Sequence, residues 1–332
     1  MQCGPNCPWP SPPAVIRSDI FALQIANLRK RYRRLDALRG VDFALSEGER
    51  LAFLGPNGAG KTTLIRCLAG RTRPTEGQIL VFGHPINAPG VRQSLGLVPQ
   101  ELALYDDLTT RENLRAFGKF HGIGRRELRD QVEWALEWTG LRDRADDLLG
   151  GFSGGMKRRV NLACGVLHQP RIILLDEPTV GVDPQSRQRI FAMLDELNDR
   201  GASILLTTHH LDEAQQRSDR IVIMDQGRVI ADGTIEDLVR QTVGKSRMIK
   251  MRVDRPLESP LVFHGDGEHV APRSVGVAGQ DTFETRIDDV TVSLGRLIQS
   301  VRHSGYSVSD MEVQSPSLHH VFLHLTGHEL RD

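Results

Sequence analysis

The 332-residue sequence has no net charge: 42 lysines and arginines balance 42 aspartates and glutamates. That balance removes any global field that would draw nucleic acid or an anionic membrane. Cysteine is scarce, four in all, and the spacing is not that of a disulfide framework. Cys67 and Cys164 fall inside predicted helices and read as small buried hydrophobes. Cys3 and Cys7 lack the second ligand pair that structural zinc requires. Such usage suits a reducing compartment. No apolar run approaches the roughly 18 residues of a membrane span. The opening MQCGPNCPWPSPPAV has no apolar segment of a secretory signal, so the expectation is a chain soluble by itself. Aromatics are few, yet 39% hydrophobic and 25% charged residues suffice for an ordinary globular core.

Residues 1–18 are proline-rich and are expected to form a disordered tail. FALQIANLRKRY and LRGVDFALSEGERLAFLG then alternate as strands do. The apolar RLAFLG runs into a glycine loop, and TTLIRCLAG continues as a helix closed by Gly70. From about Leu102 to His168 apolar residues recur by threes and fours, a helical stretch. RIILLDE and ASILLTT are short continuous apolar runs, as expected of parallel strands buried on both faces. Between them QSRQRIFAMLDELNDRG reads as a helix ending at Gly201, and DRIVIMDQGRVIADGT as a hairpin turning at Asp225–Gly227. This strand–helix–strand alternation predicts a doubly wound α/β core. Past about Gln241 short strands and two helices predict a small α+β appendage over 241–332. Cationic runs at Arg29–Arg34 and Lys157–Arg159 read as solvated faces.

The segment Gly55-Pro56-Asn57-Gly58-Ala59-Gly60-Lys61-Thr62 satisfies a phosphate-loop pattern. Its glycines let backbone N–H groups wrap phosphates, Lys61 reaches the β and γ oxygens, and Thr62 offers a hydroxyl to Mg²⁺. Asp176 ends an apolar strand, where a carboxylate holds Mg²⁺ directly or through water. Glu177 follows it at a sheet's carboxyl edge and is placed to accept a proton from an attacking water. Gln100, after an apolar strand, could ligate Mg²⁺, orient water or do neither. His209 could meet a γ-phosphate or be simply satisfied, and Tyr32 could stack on adenine or sit in the core. Spacing leaves these three open. In FSGGMKRR, Ser153 caps a helix whose first N–H groups form a second anion site. Trp134 and Trp138 read as helical core, and Asp146–Asp147 as surface charge. His320, His324 and His328 share a helix face, but apolar residues between them argue against a metal site.

Taken together, GPNGAGKTT, VPQE, FSGGMKRR, IILLDEPTVGVDP and TTHHLDEA resemble, in order and spacing, the ATP-binding cassette (ABC) subunits over residues 20 to 240. The resemblance implies a P-loop NTPase fold with an antiparallel β-subdomain and a helical subdomain over about 102–168. Domain limits of 19–240 and 241–332 follow. It implies ATP and Mg²⁺ held by the Walker loop Gly55–Thr63, with Thr62, Gln100 and Asp176 toward the metal. It further implies a general base at Glu177, a signature at Ser153, Gly154, Gly155 and Met156, a D-loop aspartate at Asp183, a switch histidine at His209 and an adenine-stacking Tyr32. Met156 stands where the family usually has glutamine. With the KRR that follows and the ending SPSLHHVFLHLTG, it resembles the exporter branch of daunorubicin-resistance type, although His319-His320 replace that branch's usual Glu-Asp. The implied partners are a second cassette protomer, a homodimer being expected, and a separate multi-span permease docked after Gln100, with no nucleic acid. The implied location is the cytoplasmic face of the cell membrane. An importer subunit and a soluble cassette ATPase are the alternatives.

Overall fold

The computed structural model describes residues 21–242, 244, 247–263, 273–287, 290–314 and 316–326. The expected tail with Cys3 and Cys7, and His328, lie outside the described residues. The chain forms two compact units that divide between Thr234 and Ile235.

In the first unit, β1 (Phe21–Tyr32) and β2 (Leu35–Ser46) precede β3 (Arg50–Leu54) and α1 (Lys61–Leu68). Then come β4 (Glu76–Val81), β5 (His84–Pro85), β6 (Leu95–Val98) and three helices, α2 (Thr110–Phe120), α3 (Arg125–Trp138) and α4 (Gly154–Val166). The unit closes with β7 (Ile172–Asp176), α5 (Pro184–Asp199), β8 (Ser203–Thr208), α6 (Leu211–Arg217), β9 (Arg220–Asp225) and β10 (Arg228–Gly233).

Every residue of β3, β7 and β8 is buried, which is why these strands are apolar throughout rather than alternating. They lie in a six-stranded sheet of order β10-β9-β3-β8-β7-β6. Parallel pairing sets Leu54 opposite Thr208, Thr207 opposite Asp176 and Leu175 opposite Val98. Four strands therefore end at one edge. The loops after β3, β6, β7 and β8 carry the phosphate-loop residues, Gln100, Glu177 and His209, so register alone gathers them.

A second, antiparallel sheet of order β2-β1-β4-β5 lays Leu23, Ile25, Val41, Phe43 and Ile79 into one core with Leu64, Ile65 and Leu68 of α1. Burying each such side chain contributes about 1.5–3 kcal/mol. Phe43 and Phe53 meet edge-on at 4.6 Å and tie this sheet to β3.

The helical stretch begins with a capping box at Thr109 and Glu112. Trp134 and Trp138 stack at 5.0 Å; Trp138 is a core residue and Trp134 is half-buried. Cys67 and Cys164 are buried free thiols. Asp146 and Asp147 form surface ion pairs with Arg111 and Arg144, of the exposed kind that adds little stability. His168 stacks on His121 with ring centroids 3.8 Å apart and donates from Nε2 to the Leu95 carbonyl of β6 at 3.1 Å.

The second unit contains α7 (Ile235–Thr242), β11 (Arg247–Val253), β12 (Leu261–Phe263), β13 (Arg273–Val275), β14 (Thr282–Ile287), α8 (Val290–His303), β15 (Val308–Gln314) and α9 (Leu318–Thr326). Its antiparallel sheet runs β14-β11-β15, and Ile249, Met251 and Phe283 pack with Leu297 and Val301 of α8. The division places α7 here, packed on α9. The ring of His320 accepts from the Ser317 amide at 3.1 Å, a cap at the helix start. No group of three His, Cys, Asp or Glu among the described residues is arranged to hold a metal. Among the described residues no helix is long and apolar enough to cross a membrane.

Burial, with the neighbouring His121 adding to it, pushes the His168 imidazole down to about 4, against about 6.5 when unfolded. The unfolded chain therefore takes up the extra proton between these values, and stability falls as pH drops through that window. The loss is at most about 3 kcal/mol between pH 7 and pH 4. His168→Gln keeps a donor for Leu95 and removes the titration, so its urea midpoint should fall less steeply with acid. Parallel curves for variant and parent would refute this.

Candidate active site

The loop after β3 turns on glycines for two separate reasons. Gly58 and Gly60 hold φ of 83° and 106°, the left-handed region that side chains resist. Gly60 is also crowded: a Cβ there would lie 2.6 Å from the Ala37 carbonyl, whereas one on Gly58 would meet nothing. A Cβ on Gly55 would lie 2.2 Å from the Met224 carbonyl. Between them the Ala59 amide closes a turn onto Pro56 at 3.1 Å, leaving Asn57 exposed. The helix that follows has no side-chain cap and no acidic residue in its first turn, so the amides from Lys61 to Thr63 face an electropositive end.

Lys61 is 5% exposed. Its ammonium donates to the Gly55 and Pro56 carbonyls at 2.7 and 3.1 Å and lies 3.4 Å from Glu177 Oε1. Burial lowers its pKa, and the Glu177 carboxylate works against that shift.

Asp176 closes β7 with Oδ1 accepting from Thr207 at 2.8 Å and from Thr62 at 3.3 Å. Burial raises its pKa against those two hydrogen bonds. Glu177 is 6% exposed and sits at φ 47°, a conformation that costs a non-glycine residue about 1–3 kcal/mol. Its amide donates to the Thr207 carbonyl at 3.2 Å and hydroxyl at 3.1 Å. Its carboxylate accepts from Gln100 Nε2 at 3.2 Å. His209 Nδ1 lies 3.2 Å from Oε1, without the alignment of a hydrogen bond. Gln100 and His209, left open by spacing, thus both reach Glu177.

Tyr32 is 39% exposed at the end of β1, on the hairpin whose second strand brings Ala37 against Gly60. Lys30 Nζ lies 4.9 Å from its ring centroid.

The second anion surface is separate. Ser153 caps α4 by accepting from the Met156 amide at 3.3 Å, and Ser153 and Gly154 are exposed. A Cβ on the buried Gly155 would lie 2.1 Å from Ser186 Oγ and 3.2 Å from Asp183 Oδ2. Asp183 in turn caps α5 by accepting from the Ser186 amide at 2.9 Å, which holds its carboxyl below the usual range. Two helix starts therefore stand side by side. Among the described residues no hydrogen bond or ion pair joins Ser153–Gly155 to the Gly55–Thr63 loop.

The solvated reading of Lys157–Arg159 fails at Arg158. Arg158 is 6% exposed and donates to the Pro99 and Gln100 carbonyls at 3.1 and 2.7 Å, while Asn161 donates to Pro99 and accepts from Ala103. One face of α4 thereby fixes the backbone that presents Gln100. Glu213, also missed, is 6% exposed. It accepts from Thr179 and Thr208, joining the segment after Glu177 to the one before His209. The only sequence signal was two threonines inside the apolar run ILLTT.

The residues fit a nucleotide with a hard cation. Gly55 and Gly60 make a cradle that a Cβ would fill, with a buried ammonium beside it. A hydroxyl, an amide and a carboxylate supply the all-oxygen donors that magnesium takes. Glu177 places a buried carboxylate at the same edge, a group of the kind that can serve as a general base.

The sequence profile of the family described as ABC transporter matches residues 38–180. The chain is 38% identical to the linearmycin resistance ATP-binding protein of Bacillus subtilis (strain 168), covering 93% of this chain and 100% of that protein. It is 36% identical to a daunorubicin resistance ATP-binding protein of Streptomyces coeruleorubidus, over 93% of this chain and 97% of the other. A Nod factor export ATP-binding protein of Rhizobium sp. (strain N33) is 35% identical over 93% of this chain and 98% of its own. Among solved structures, an ATP binding subunit of an ABC transporter superposes with TM-score 0.61 and 33% identity, covering 66% of this chain and 92% of that one. The dimeric post-hydrolysis state of an ATP-binding cassette bound to ADP and Pi gives 0.59 and 27%, covering 64% and 98%.

Gly58 and Gly60 separate backbone strain from close approach. Gly60→Ala should weaken binding of a fluorescent ATP analogue by more than about tenfold, because strain and collision combine. Gly58→Ala, with strain alone, should cost only a few-fold. Equal losses would contradict the part given to Ala37.

Proposed function

The chain belongs to the ABC transporter family as an ATP-hydrolysing component, and from that premise we propose that it powers an exporter through a separate permease. The observation that carries the reading is the convergence of Lys61, Gln100 and His209 on the buried Glu177 carboxylate, beside a glycine cradle for phosphates. Glu177 takes the proton of the attacking water, a role typically worth 10²–10⁴ in rate. Lys61 and His209 stabilise the charge that develops on the γ-phosphate oxygens. Thr62, Gln100 and Asp176 would hold Mg²⁺, which when bound offsets phosphate charge. Tyr32, exposed at the hairpin end, offers its ring to adenine.

Ser153–Gly155 and Asp183 serve a different nucleotide. Their exposed helix start completes the phosphate site of a second protomer, a copy of this chain, and ATP joins the two. The permease docks on the segment following Gln100, whose backbone Arg158 anchors to α4. In this reading the chain works at the cytoplasmic face of the membrane. The second unit, which begins with α7 at Ile235, is an accessory domain of the same assembly. Export is supported by relatives named for resistance and export that match across both units.

Direction of transport is the test. In inside-out membrane vesicles carrying the chain with its permease, ATP should drive daunorubicin, used as the probe, into the lumen. Uptake only in right-side-out vesicles would make the chain an importer subunit.

A further inference from the structure

Thr207 is fully buried on β8 and is the register partner of Asp176 on β7. A buried hydroxyl must be satisfied, and besides a long 3.5 Å contact to the Leu175 carbonyl this one meets two groups of different function. It donates to Asp176 Oδ1 at 2.8 Å and accepts from the Glu177 amide at 3.1 Å. The Thr207 carbonyl receives the same amide at 3.2 Å, so one residue accepts the Glu177 N–H with two oxygens at the left-handed turn.

We propose that Thr207 is a positioning residue for hydrolysis, its hydroxyl orienting Asp176 toward the cation and Glu177 toward the water. The other hydroxyl on Asp176 Oδ1 belongs to Thr62 and is longer, 3.3 Å. Thr62 has a second duty toward the cation, whereas Thr207 is shut in the core and has none. Thr207 is therefore the constant partner of that oxygen. Neighbours that orient metal ligands typically matter by 10–100-fold in metal affinity or activity. The inference rests on Asp176 as a cation ligand, and the experiment separates the two claims.

Thr207→Val keeps the shape and removes the hydroxyl; Thr207→Ser keeps the hydroxyl and removes the methyl. Affinity for a fluorescent ATP analogue in EDTA should stay within about twofold in both, since neither touches the glycine cradle. In the valine variant the tightening of that binding by Mg²⁺ should weaken about tenfold, and kcat should drop about 10–100-fold. The serine variant should recover both to within about threefold. If valine matches the parent, or if serine is as impaired as valine, the hydroxyl has no positioning role. Asp176→Asn is the reference. Should it abolish the Mg²⁺ effect while Thr207→Val preserves it, only the role of Thr207 falls. Should it leave the Mg²⁺ effect intact, the cation reading falls and this inference with it.

Discussion

A buried carboxylate at a left-handed turn is the constraint on which the site depends. Glu177 has almost no contact with solvent, and a charge so placed costs several kcal/mol unless it is met by donors. Lys61 after β3 and Gln100 after β6 meet it, and His209 after β8 comes within 3.2 Å. A parallel sheet whose strands end in register is what allows three loops to reach one carboxylate. The turn itself costs about 1–3 kcal/mol, set against the two hydrogen bonds that the Glu177 amide donates to the carbonyl and hydroxyl of Thr207. Strain of this kind persists only where the surroundings over-determine it, which describes this edge.

Why one chain carries two phosphate surfaces follows from magnitudes. A helix start attracts an anion with about 0.3–1 kcal/mol, or about 2 when partly buried. The exposed Ser153–Gly155 start is thus too weak to retain ATP alone. The Gly55–Thr63 loop adds a buried ammonium and a glycine cradle, and retains it. The two surfaces sit on different parts of one protomer, and under the proposed pairing the weak one would add to a nucleotide already gripped by a second protomer. On that proposal ATP would favour the paired state because only that state makes both sets of contacts, and hydrolysis would remove the shared anion.

Much of this was legible in the sequence, and the reasons are local. Strands buried on both faces announce themselves as apolar runs, as RIILLDE and ASILLTT do. The phosphate loop announces itself because its glycines answer to backbone geometry. Gln100 and His209 are open in the sequence because Glu177 lies 77 and 32 residues from them, and only the register of β6, β7 and β8 brings the three together. Arg158 was misread because a cation in a KRR run looks solvated. Its burial depends on two carbonyls at Pro99 and Gln100 that no periodicity reveals. In the second unit β15 is hard to read from the sequence, since VSDMEVQ alternates weakly and neither face is strongly apolar.

The most direct test replaces the carboxylate with its neutral isostere. Glu177→Gln keeps the shape and removes the proton acceptor. In a single-turnover assay with labelled ATP, the account predicts nucleotide recovered as bound ATP in a two-protomer complex, with hydrolysis slowed at least about 100-fold. ADP appearing at the parent's rate would show that the carboxylate at this edge is not the base.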